Sequence, residues 1–200
     1  MAVLITPMTE LEAVNAILRN AGITPVNSLT DDVLDLENAQ ATLRQISVDL
    51  QTEGWWFNTE HLFPLTPNGS NQLAVPVNTL KADVDGSDRF CKDYVLRGSI
   101  FYDRENHTST ITEATTVTLV RALAFEELPS TARRYVTLAA SRQFQAQEIG
   151  DPNAEQSDNY EESKALRQLN REDIQATDLN VFRDNITNLS TLSRTTLIRR

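Results

Sequence analysis

The stretch EGWWFN, residues 53–58, carries both tryptophans of the chain, side by side. Read as the start of a strand, it sends neighbouring side chains to opposite faces. Trp55, Phe57, Thr59, His61, Phe63 and Leu65 then share a mostly apolar face, and Trp56, Asn58, Glu60 and Leu62 share a mixed one. On this reading Trp55 anchors a core. Trp56 is then the more exposed of the two and a candidate contact with another subunit, a setting where Trp is favoured; the rival reading buries both, one under the helices and one under the β region.

Two helices precede this stretch. Thr9 and Glu12 match a capping box, with Thr9 at the N-cap and Glu12 three residues on. Leu11, Val14, Ile17 and Leu18 form one stripe, and Gly22 and Pro25 supply the stop, which predicts a helix over about 10–21. A second helix is predicted over about 31–53. Asp31 and Asp32 favour its N-terminus through the helix dipole. Leu36, Ala39, Leu43, Ile46 and Leu50 make a narrow seam for another helix, and Gly54 ends it.

After the Trp pair, residues 55–123 read as β-rich. DGSD (85–88), RGS (97–99) and ENHT (105–108) are turn signals. VLRGSIFYD reads as a hairpin, and TTVTLVRAL (115–123) as the strongest strand, rich in β-branched residues. Two further helices follow, over about 130–149 and 152–175, the second opened by Pro152. That last helix is heavily charged, with Leu166, Leu169 and Ile174 as a single narrow buried edge. The fold class expected is α+β and mainly helical: a helical bundle with a small antiparallel β region in the middle and an extended C-terminal arm.

Residues 176–200 change character, being rich in Thr, Asn and Ser. Four arginines stand there against two aspartates, a net +2, which leaves −12 for the rest of a chain whose formal charge is −10. Phe182, Ile186, Leu189 and Leu192 are spaced apolar anchors within this segment. It reads either as a frayed terminus or as an arm that orders on assembly and spans up to about 80 Å when extended. The division expected is thus a body over 1–175 and an arm over 176–200.

Composition excludes more chemistry than it suggests. Cys91 is the single cysteine, so no internal disulfide can form. MAVLITPM lacks a basic leader and a long apolar stretch, so neither a signal peptide nor a membrane anchor is expected, and a soluble chain is. His61 and His107 lack ligand spacing for zinc. DVDGSD (83–88) starts like a calcium loop but carries Tyr94 where the twelfth-position Glu belongs. There is no nucleophile elbow, phosphate loop or dinucleotide loop among six glycines. No catalytic, cofactor-binding or metal-ligating residue is assigned, and no cofactor is expected. The acidic pairs Glu126–Glu127 and Glu161–Glu162 leave open a glycoside hydrolase with a Trp platform. The basic pair Arg133–Arg134 reads as surface solvation or ion pairing. The acidic net charge argues against tight DNA binding.

Taken in order, ELEAVNAIL (10–18), EGWWFN (53–58), VLRGSIFYDRENHT (95–108) and FEELPSTARRYVTLAASRQF (125–144) resemble the tail tubular protein A family, the head-to-tail adaptors of short-tailed podophages. The resemblance runs over about 9–175 and is strongest at the Gly-Trp-x-Phe-Asn stretch and at ASRQF (140–144); the C-terminal segment matches only in kind. It implies a structural virion protein without catalysis, made and assembled in the host cytoplasm. In that family twelve copies form a ring, with an adaptor domain here over 1–175. The ring sits between the portal protein and the nozzle of tail tubular protein B and helps to dock the tail fibre. Genomic DNA passes through it without sequence-specific binding. Contacts with neighbours or portal are then expected from Trp56, Phe182, Ile186, Leu189 and Leu192. An acidic lumen would suit a sliding genome.

Overall fold

A computed structural model describes residues 6–85, 91–148 and 152–176, except for the side chains of Glu148 and of 152–158. Among the described residues four helices and five strands form an α+β fold, mainly helical, with the strands in the middle of the chain. In order they are α1 (Glu10–Asn20), α2 (Leu34–Thr52), β1 (Thr59–Leu65), β2 (Thr79–Val84), β3 (Tyr94–Arg97), β4 (Ile100–Asp103), β5 (Thr115–Arg121), α3 (Ser130–Glu148) and α4 (Pro152–Ala176).

The helix α1 starts as its sequence dictates. The Thr9 hydroxyl accepts from the Glu12 N–H, and the Glu12 carboxylate accepts from the Thr9 N–H at 2.9 Å. It ends with Gly22 at φ 71°. There the Ile23 N–H donates back to the Leu18 carbonyl at 2.9 Å and the Gly22 N–H to Arg19, which satisfies the last carbonyls. The start of α2 departs from expectation. The Asp31 carboxylate accepts from the Ser28 N–H and closes a turn there, so the helix begins at Leu34 behind Val33.

The helix α3 is the centre of the helical layer and packs against α1, α2 and α4. Ala132, Val136, Ala140 and Phe144 recur every four residues and are buried. Three of the four are small or β-branched, which lets neighbouring backbones approach closely. They meet Val14, Ile17 and Leu18 of α1, Leu36, Ala39, Leu43 and Leu50 of α2, and Leu169 of α4 in one apolar cluster. Full burial of one such leucine stabilises the fold by about 2 kcal/mol.

The strand TTVTLVR is β5, the middle of a three-stranded antiparallel sheet ordered β1-β5-β2. The predicted hairpin is β3–β4, turning at Gly98 with φ 64°. Leu65, Leu73, Phe101, Ile111, Val117 and Leu119 make a second, separate core under this region.

The Trp pair does not lie on a strand. Gly54 takes φ 87°, and residues 56–58 form a turn before β1 begins at Thr59. The predicted alternation also breaks inside β1, where the register shifts between Glu60 and Phe63 and Leu62 sits at φ 52°, with its side chain exposed. His61 consequently faces solvent instead of a core. A Cβ at Gly54 would stand 3.2 Å from Val120 Cγ2, tighter than ordinary contact. Gly54→Ala is therefore expected to cost about 2 kcal/mol in left-handed strain and crowding. Thermal unfolding followed by circular dichroism should fall by roughly 4–8 °C. Gly22→Ala, where the added methyl meets nothing within 4 Å, should cost about half as much.

Candidate functional site

The turn at residues 55–58 joins the two cores. Trp55 is buried, and its indole N–H donates to the Leu50 carbonyl at 2.8 Å, satisfying its polar atom inside the helical layer. Asn58 is 3 % exposed and is bonded on every side. Its Oδ1 accepts from the Trp55 N–H at 2.8 Å. Its amide donates to the carbonyls of Gln51 at 2.8 Å and Arg121 at 2.9 Å. Gln51, also buried, completes the joint: its Oε1 accepts from the Leu123 N–H at 2.6 Å and its amide donates to Ser47 Oγ. Sequence reading places neither amide in this role. The signal was the polar Gln51 lying one residue past the apolar seam of α2.

Trp56 is half-buried, as the more exposed of the pair. Its ring packs against the helical core and meets Phe57 edge to face, with centroids 5.0 Å apart. Its backbone N–H donates to Asp173 of α4 at 3.1 Å. Phe182, Ile186, Leu189 and Leu192, with the rest of the C-terminal segment from 177 on, lie outside the described residues.

The acidic pairs are engaged in holding the fold. Glu126 accepts from the Glu10 N–H, and Glu127 from the Ala124 N–H. Glu161 pairs with Arg134 at 3.5 Å and Lys164 at 3.7 Å, and Glu162 pairs with Arg142. These last two acids are half-buried against α3. Burial pushes the Tyr135 phenol up, and the Glu162 carboxylate adds to that shift.

The basic pair also splits. Arg134 is exposed and ion-paired, as expected. Arg133 is 9 % exposed and donates to three backbone carbonyls, those of Leu128 at 2.8 Å, Met8 at 2.7 Å and Glu126. It stitches the chain before α1 and the turn before α3 (Phe125–Glu127) onto α3 itself.

Elsewhere the polar groups serve turns. The Asp103 carboxylate is held below the usual range by the side-chain amide and then the N–H of Asn106. The stability this adds is present above the ordinary carboxylate range and is lost as pH falls through the lowered value. Asp85 Oδ2 accepts from the Leu62 N–H and the Thr118 hydroxyl, so this oxygen already serves the β1–β5 pair. The rest of the calcium-like stretch, from Gly86 on, lies outside the described residues. Among the described residues no three His, Cys, Asp or Glu side chains gather to hold a metal ion.

What sequence reading missed is the outward face of α4. Among the described residues its acids point inward: Glu161, Glu162 and Glu172 to α3, and Asp173 to the Trp56 backbone. The opposite face carries Tyr160, Lys164, Arg167, Arg171 and Ile174, all exposed. Ile174, expected on the buried edge, is 59 % exposed, whereas Leu169 is buried and Leu166 packs against the helical core as expected, with Ala165 buried beside them.

The profile of a family described as tail tubular protein matches residues 11–179, the greater part of the chain. Tail tubular protein A of Klebsiella phage KP34 is 27% identical over 143 residues, covering 72% of this chain and 75% of that protein. A helical layer centred on α3, acids engaged in structural pairs and this match together define a structural component of a phage tail. The chain belongs to the tail tubular protein family.

Proposed function

We propose that the chain is the ring-shaped adaptor between the portal protein and the tail nozzle formed by tail tubular protein B. Twelve copies close around a channel for the genomic DNA, and the outer side of the ring offers a docking platform for the tail fibre. The observation that carries this reading is the family match over 11–179, which spans all four helices and the whole β region. It is supported by the engagement of the acidic pairs in the fold, and by a net charge of −10, which suits a channel that repels phosphate. In this reading the body over 1–175 is the adaptor domain and 176–200 is an assembly arm, with Phe182, Ile186, Leu189 and Leu192 as its anchors.

The test is mass in solution by light scattering, with and without purified portal from the same phage. The full chain is compared with a version ending at Gln175. The full chain should join the portal as a ring and the shortened one should not. If neither associates with a competent portal, the adaptor reading fails. Trp56→Ala belongs in the same assay. Lost assembly with an unchanged melting temperature would make Trp56 a subunit contact, whereas a drop in melting temperature with assembly retained would make it core.

A further inference from the structure

The outward face of α4 and the outward face of α2 have matching patterns. On α4, Tyr160, Arg167 and Ile174 are seven residues apart, with Lys164 and Arg171 between them at the same spacing. On α2, Leu34, Ala41 and Val48 are also seven apart, with Glu37 and Arg44 between them at the same spacing. All of these side chains are exposed. Each stripe has a large apolar residue at both ends: Tyr160 at 63% and Ile174 at 59%, against Leu34 at 71% and Val48 at 37%. Each runs about 21 Å along its helix. Seven-residue spacing keeps side chains on one face and is the geometry by which one helix seats along another.

The charges are opposite. The middle of the α4 stripe is basic, and Arg167 and Arg171 have no ion-pair partner among the described residues. The region of α2 is acidic. Asp31, Asp32, Asp35, Glu37, Asp49 and Glu53 stand there against a lone cation, Arg44. In a chain of net charge −10, copies brought together repel one another unless positive charge is concentrated at the contact. The described part of α4 concentrates it by turning its acids inward and its cations out.

We propose that the α4 stripe of one copy seats on the α2 stripe of a second copy. The two surfaces differ, so the contact is head-to-tail, the kind that builds rings. Tyr160 and Ile174 cover apolar surface at the ends, and Lys164, Arg167 and Arg171 face the acids around Glu37 and Asp49. This inference rests on the adaptor reading above, since it names the contact that closes the ring.

The experiment is ring assembly on purified portal, read by light scattering as the concentration of full chain at half-assembly. Arg167→Glu with Arg171→Glu should raise that concentration about tenfold or more, and so should Glu37→Arg with Asp49→Arg. Combining all four changes should restore assembly to within about threefold of the parent. Arg167→Gln with Arg171→Gln, which adds no repulsion, should weaken assembly less and flatten its salt dependence. Melting temperatures report folding separately, and these exposed positions should leave them unchanged.

If the parent assembles and the α4 reversal assembles equally well, the contact is wrong while the ring reading stands. If both reversals weaken assembly and their combination does not recover it, the two stripes are not partners. If the α4 reversal abolishes salt-sensitive binding of a short DNA duplex and leaves assembly intact, the stripe is a phosphate-facing surface and the proposal fails. If the parent itself does not assemble on portal, the ring reading fails and this contact with it.

Discussion

Arg133→Ala is expected to lower the free energy of unfolding by about 3–4 kcal/mol, among the larger effects of a single substitution in this molecule. The side chain is 9 % exposed and gives three separate N–H groups to the carbonyls of Leu128, Met8 and Glu126. Removing it leaves three acceptors without their donor and a void where the guanidinium lay, 5.9 Å over the Phe125 ring. A cation near a helix N-terminus is unfavourable for the helix dipole, so these carbonyls, and not α3, hold it there. Arg133→Lys should recover little, because one ammonium on a flexible stem cannot reach three carbonyls in fixed directions. Urea unfolding checks both variants: the midpoint should drop while its slope stays that of the parent. A loss under 1 kcal/mol for Arg133→Ala would show that these carbonyls are satisfied equally well by water.

Asn58→Asp tests the joint between the two cores. The change is nearly isosteric, so packing is preserved and only the chemistry of one atom is altered. The amide nitrogen that donates to the Gln51 and Arg121 carbonyls becomes an oxygen facing two oxygens. At neutral pH the expected cost is about 3–5 kcal/mol, from a buried carboxylate turned on carbonyls and two lost hydrogen bonds. Burial and the two carbonyls both disfavour the charged form, so the folded state raises this carboxyl above its unfolded value of about 3.9. The folded protein then binds more protons than the unfolded one between the two values, and stability falls as pH rises through that window. Lowering the pH from 7 toward 5 should therefore restore part of the loss relative to the parent, because the protonated acid can donate to one of the two carbonyls. A penalty independent of pH would mean that the carboxylate reaches water.

The parts of this fold legible in sequence are those where local chemistry and tertiary packing agree. Thr9 and Glu12 cap α1 because both halves of the box are local. TTVTLVR forms the central strand because its branched residues suit a sheet buried on one face, and Gly98 turns the hairpin. The Trp pair was misread because aromatic residues favour strands in general, whereas here the Asn58 side chain bonds back to the Trp55 N–H and closes a turn. The relative exposure of the two tryptophans came out as expected, but for a different reason: a turn separates them, not the pleat of a strand. Arg133 looked like surface because its carbonyl partners lie five, seven and 125 residues away, and the last of these, Met8, comes from the far end of the chain. The α4 stripe is not legible in sequence because apolar residues on a helix signal a buried face and an outward contact face alike. Leu166 and Leu169 are three apart and share the buried edge, whereas Ile174, five residues past Leu169, turns about 140° away to the opposite face.

The polar joint between the cores determines how substitutions combine. Phe144 and Leu169 belong to one apolar cluster, Val117 and Leu119 to the other. Between the clusters stand the amides of Gln51 and Asn58, which bond to backbone and so are indifferent to which hydrophobic side chains fill either side. Losses in the two clusters should therefore add when combined, as they do for sites without shared partners. Changes at Gln51 or Asn58 should not add with either. In a lineage, each core can then drift at its own pace while the two amides stay fixed.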